Sequence, residues 1–441
     1  MINVYYINLH YSVSKKLIFL FFTIFLLVLL ISSGCSKGKI EQFREISWVD
    51  YIDKVEGGWL GQMIGVQFGA PTEGVWQGEI IPFDLDDYCE FDRKTFREIP
   101  SERKKAFRDD KKNWKKIELD GFPENDDIYI ELVFLNGIRT YGVDVIPREM
   151  AEDWIRYIPG NRIWCANKMA WENFNKGIFP PQSGHPEFSP NADDIDFQIE
   201  ADLFGLISPG MPLVSNEWCD RIGHMMNYGD GVYGGCFVAG MYAAAFFEND
   251  VEKVVELGLQ CIPTNSDYGQ MVQDVLNWHK QYPDWKDTWQ RVYEKWYKTR
   301  MGKPVNTVDV RVNGAYILIG LLYGKGDFWK TMNISMRCGM DSDCNPSNAV
   351  GILGCILGVS KIPEKWKVPM KDFIINESLK EVYPEKILRK EIVDATAVIG
   401  KEMVLKNGGK FENDVLYIPY QTPKPAAFEQ SYLIWEKKGK K

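Results

Sequence analysis

The chain has 441 residues, 45% of them hydrophobic and 26% charged, with a formal net charge of -9. This composition excludes a disordered chain, a collagen-like repeat and a polytopic membrane protein. The charge is two units more negative without Lys15 and Lys16 at the start, so the remainder repels a phosphate backbone and nucleic acid is not an expected partner.

Lys15-Lys16 precede the apolar run Leu17 to Ile31, which ends in Ser32-Ser33-Gly34-Cys35. A positive region, an apolar region and small residues before a Cys resemble a bacterial lipoprotein signal. The resemblance implies that residues 1–34 are removed and that Cys35 is lipidated, holding an exported protein at a membrane face. An uncleaved anchor helix is the alternative, although the run is short for a span of about 20 residues. Residues 35–47 read as a linker.

From Trp48 onward apolar residues recur at spacings of three and four, which predicts an all-α packing, read as one large helical domain over 48–405, in which loops supply the chemistry. The predicted helices are Trp48 to Phe68, Asp126 to Tyr141, Val232 to Phe247, Val251 to Leu259, Tyr268 to Tyr282, Trp285 to Tyr297, Ala315 to Tyr323, Phe328 to Arg337 and Ser347 to Leu357. In the first, Gly57, Gly61, Gly65 and Gly69 fall at every fourth position, a face on which another helix can approach closely. Glu73 follows in a loop, placed as a general acid or base. Ser101 to Lys116 and the Pro-rich Phe179 to Pro190 read as solvated loops. Residues 406–441 break the helical pattern and read as a short β or extended appendage.

Two acidic clusters open predicted helices. Glu124-Asn125-Asp126-Asp127 precedes the first; an Asn or Asp there caps free N–H groups, but two adjacent carboxylates exceed what a cap needs. Asp341-Ser342-Asp343-Cys344-Asn345 precedes the second, with Asn345 and Pro346 placed as N-cap and first helical residue. Charges converging there need cations or protons to relieve them, and carboxylate with amide oxygens suit Mg²⁺, Mn²⁺ or Ca²⁺ rather than zinc. Asp194, Asp196, Glu200 and Asp202 read as surface or helix-start charges. Most of the 15 Trp read as core, with sugar stacking a lesser reading. The Cys residues show no CxxC pair and no zinc-like spacing.

Three ordered motifs, GGWLGQMIGVQFGAPTEG, ENDDIYIELVFL and CGMDSDCNPSNAVGILGCILG, resemble the ADP-ribosylglycohydrolase family over roughly Trp48 to Lys401. The resemblance implies an all-α fold with two Mg²⁺ or Mn²⁺ ions at the base of a cleft. It implies metal ligation by Asp126, Asp127, Asp341 and Asp343, and by Asn125 through its carbonyl oxygen where a Thr or Ser is expected. Catalytic roles fall to Glu73, Asp126 and Asp341. Cys344 stands where a hydroxyl ligand is expected, so that position passes to Asn345 or water; Val66 stands where many members have Asp. Leu206 replaces the Arg of a Met-Arg-x-x-Pro segment. In HMMNYGDGVYGG, His224 matches a family His near the substrate, and Gly229, Asp230 and Tyr233 are implied as substrate-binding with it; read alone, a helical His is more often a core or capping residue, and the motif position brings the two readings level.

The function implied is metal-dependent hydrolysis of an N- or O-glycosidic bond of an ADP-ribosyl-type substrate, small or attached to a protein. One alternative keeps the metal chemistry but acts on an extracellular glycan or nucleoside, since the export signal separates the protein from cytosolic nucleotides. Another is a non-catalytic scaffold, like the lens crystallins related to this family.

Overall fold

The computed structural model describes residues 43–298 and 305–430; the lipoprotein-type signal and Cys35 lie outside them. Each of the nine predicted helices is present, with ends shifted by a few residues, and further helices occur at Pro147–Tyr157, Cys165–Asn175, Pro212–Gly223 and Arg389–Lys406. The architecture is mostly helical, in one large domain. Among the described residues no helix is long and apolar enough to cross a membrane.

At the centre the Trp48–Gly69 helix runs antiparallel against Cys344–Leu357. The glycine face is the contact. A Cβ on Gly57, Gly61, Gly65 or Gly69 would fall 2.3, 2.2, 2.3 and 2.1 Å from the backbone oxygens of Gly354, Val350, Pro346 and Ser342 respectively. Each step of four along one helix is matched by a step of four back along the other. Beyond the glycines the two chains stay linked: the Thr72 and Ser342 hydroxyls lie 2.7 Å apart, and the Met340 amide donates to the Trp76 carbonyl at 2.8 Å. The glycine ladder therefore delivers Glu73 and Asp341 to the same end of the helix pair.

Strands are few and short. Phe43–Ser47, read as part of a linker, pairs antiparallel with Val415–Pro419 in the register Phe43 to Pro419, and Lys410–Glu412 adds to the far side. The segments on either side of the predicted domain thus pair with each other. Residues 420–430 run on without regular structure. Ser101–Asp109 forms a helix with no buried residue, whereas the Pro-rich loop is partly inside, with Ser183 and Ser189 fully buried.

Candidate metal centre

Asn125 caps the Asp126–Tyr141 helix, its side-chain oxygen accepting the Asp127 amide at 3.0 Å. The other acidic loop departs from its predicted register: the helix opens at Cys344 after Asp343, so Asn345 lies inside the first turn and its amide donates to Asn313 at 2.9 Å. Gly339 and Met340 both take positive φ, 80° and 63°, and this left-handed corner turns Asp341 and Asp343 inward.

The two helix starts meet in a cavity of about 370 Å³. Asn125, Asp126, Asp341, Asp343 and Cys344 line it, with Glu73 at the same cavity. Asp127 is fully buried behind them; the Cys344 thiol donates to one of its oxygens at 3.2 Å, and the other has no partner. Ligand atoms of Asp341, Asp343 and Cys344 all lie within 4.8 Å of one another, a buried group that can hold a metal ion.

Electrostatics follow from this crowding. Burial and then the neighbouring Glu73 raise Asp126 to about 6; burial lifts Asp341 to about 7. Asp127 and Asp343 are pushed further up by burial and by the other aspartates, and the Cys344 thiol is held protonated by the same causes. Glu73 has a side chain 53% exposed, pairs with Arg93 at 3.5 Å and lines the same cavity as Asp126, Asp341 and Asp343.

The donor set fits a hard divalent cation. The carboxylates of Asp126, Asp341 and Asp343, the free Asp127 oxygen and the unpartnered buried oxygen of Asn345 outnumber the thiol, which donates its proton instead. The Asn125 oxygen is already engaged as a cap.

Other cavity residues were not among the candidates. Asp196 lines the cavity, and its carboxylate accepts the Ala166 and Asn167 amides at 3.2 and 3.0 Å, capping a helix from outside. This pins the corner Trp164–Cys165, where Cys165 adopts φ 46° and Trp164 stands 54% exposed at the cavity. Asp194, Glu200 and Asp202 are also buried, which corrects the surface side of their reading, whereas Asp196 and Asp202 do stand at helix starts, those of Asp196–Ile199 and Asp202–Leu206. Asp202 accepts the Asn348 amide at 2.9 Å, Asp194 accepts Asn306 at 3.3 Å, and Glu200 pairs with Asn167. The sequence carries only an indirect trace of this: Asp196, Glu200 and Asp202 interrupt an apolar run, Ile195 to Ile207, but the groups that satisfy them are not adjacent in the chain.

His224, Gly229, Asp230 and Tyr233 are not brought to the acidic cavity. His224 Nε2 lies 3.1 Å from both carboxylate oxygens of Glu429, the Gly229 amide donates to the same carboxylate at 3.2 Å, and the Tyr233 hydroxyl donates to the Ala427 carbonyl at 2.9 Å. Asp230 is turned elsewhere, accepting the Tyr268 amide at 3.0 Å. These residues fasten the 420–430 segment.

The model of a family described as ADP-ribosylglycohydrolase matches residues 47–397. No curated protein matches the chain. A solved chain described as "ADP-ribosylglycohydrolase-related protein complex" is similar at 14% identity and a TM-score of 0.47, over 80% of this chain and 99% of that one. With both acidic motifs and the glycine helix inside the matched residues, this chain belongs to the ADP-ribosylglycohydrolase family.

Proposed function

We propose that the protein is a divalent-metal-dependent hydrolase that cleaves an N- or O-glycosidic bond of an ADP-ribosyl-type substrate. The observation that carries the reading is the convergence of Asp126, Asp127, Asp341 and Asp343, from segments more than 200 residues apart, at one cavity with Glu73 beside it. Asp126, Asp127, Asp341 and Asp343 would hold Mg²⁺ or Mn²⁺, with Asn345 as a further oxygen donor. Bound there, two such ions supply Lewis acidity for the ribose hydroxyls and for water. The chain does the rest: the aspartates fix the ribose end of the substrate, and Glu73 moves the proton at the glycosidic oxygen or nitrogen or at the attacking water.

A second reading, a glycan or nucleoside substrate, is favoured by the cavity wall. Its cation is Arg162, already paired with Glu377 at 2.8 Å, whereas Glu73, Glu124, Asp126, Asp196, Asp341 and Asp343 are acids, a poor setting for a pyrophosphate. Exposed Trp164 suits a sugar or base face. Assaying ADP-ribosyl-peptides beside neutral ribosides and glycosides, with Mg²⁺ or Mn²⁺, separates the two. In either case Asp341→Asn removes saturable divalent binding in calorimetry and lowers turnover by roughly 100-fold or more. A crystallin-like scaffold would show neither loss, having neither property.

A further inference from the structure

A second cavity among the described residues is larger than the acidic one. A space of about 840 Å³ opens between the start of the Pro147–Tyr157 helix, the Pro-rich loop and the end of the Pro212–Gly223 helix, and it shares no lining residue with the metal centre. Its body is apolar and aromatic, with Ile146, Pro180, Phe188 and Tyr228 among the walls. His185 and His224 set their ring edges against Tyr228, with centroids 4.9 and 5.7 Å away.

Two arginines stand in the same wall, Arg148 and Arg221. Arg148 is paired with Glu152 at 3.0 Å. Arg221 lies over Trp218, its Cζ 4.1 Å from the ring centroid, and among the described residues it has no ion pair; its Nε is buried without a hydrogen-bond partner. Burial pulls its guanidinium below the ordinary arginine range against the opposing charges of Glu217 and Asp144, neither of which forms an ion pair with it among the described residues, and an arginine keeps its charge. Three carboxylates share the cavity: Glu429 is engaged by His224 and Gly229, Asp220 is 68% exposed, and Glu187 lies beside His185 on the loop. None of them bonds to Arg221. Glu429 also shows how this wall treats a carboxylate, receiving both an imidazole and a backbone amide.

We infer that this cavity is a second ligand site, for an organic anion whose carboxylate or phosphate is taken by Arg221 and whose apolar or aromatic body lies against Phe188 and Tyr228. It is independent of the glycosidic chemistry. Benzoate and phenyl phosphate, titrated calorimetrically into the full-length protein, distinguish the two anion types, with benzyl alcohol as the neutral control. Saturable binding of at least one anion is expected, weakened at least about tenfold by Arg221→Ala as a charge-assisted hydrogen bond is lost, and unchanged in Asp341→Asn. Should Arg221→Ala not fold, judged by circular dichroism, Arg221→Lys serves the same purpose, because an ammonium cannot reproduce the paired donors. Equal binding of benzyl alcohol, anion binding indifferent to position 221, loss of binding in Asp341→Asn, or no anion binding at all would each overturn the inference.

Discussion

The thiol of Cys344 donates a hydrogen bond to the carboxylate of Asp127 at 3.2 Å, and this contact joins the two acidic helix starts at their deepest point. A hydroxyl at that position would be a hard donor; the thiol is soft and stays protonated. Residue 344 therefore supplies a proton to a carboxylate rather than an oxygen to a cation.

Cys344→Ser is therefore expected to tighten Mg²⁺ binding relative to the native chain and to reduce any preference for Cd²⁺ over Mg²⁺. Competitive titration of the two ions against both proteins measures this. Unchanged ion preference would show that residue 344 does not face the metal.

The protonation of the centre gives the metal-free protein a pH dependence. Asp126 and Asp341, raised from the ordinary value of 3.8 to about 6 and about 7, keep protons in the folded chain that the unfolded chain has already released. The unfolded state then binds fewer protons, so stability falls as pH rises from about 4 through 7, and it goes on falling above 7 because Asp127 and Asp343 are held higher still. A divalent cation replaces those protons, so its affinity rises over the same range and the slope flattens when it is saturating. Melting temperatures taken with EDTA and with Mg²⁺ across this range test both slopes.

Gly61 and Gly65 have no room for a methyl group, since a Cβ on either meets backbone oxygen at 2.2 to 2.3 Å. Gly65→Ala is expected to cost about 3 kcal/mol in denaturant unfolding, the upper range for overpacking, because backbone cannot move aside as a side chain can. It also moves Glu73 away from the aspartates, so turnover should fall further than stability alone explains.

Lipidation at Cys35 is a proposal from the sequence. Metabolic labelling with a fatty-acid probe should mark the full-length protein expressed in a bacterium and place it in the membrane fraction, whereas Cys35→Ser should be unlabelled. A native chain that carries no label would leave an anchor helix or a soluble protein.

The paired acids and the glycine face were legible because each is a local pattern: two carboxylates at a helix start, or one small residue per turn. Buried Asp196 and Asp202 were not, since the groups that make burial tolerable, the Ala166 and Asn167 amides and the Asn348 side chain, come from distant segments. The same holds for His224, whose partner Glu429 lies more than 200 residues further on. The start of the Cys344–Leu357 helix was misplaced because Asn-Pro is a good opening signal, but the turn at Gly339 and Met340 had already set the helical direction.

The glycine ladder sets a gauge for the whole site. Backbone rests on backbone at four successive rungs, so the separation between the two helices is fixed by atoms that have no rotamers to exchange. Core side chains elsewhere can be replaced and can resettle while the spacing from Glu73 to the aspartates holds. Adaptation to a new substrate is therefore free to act on the rim, at Arg162 and Trp164, without loosening the frame that carries the charges.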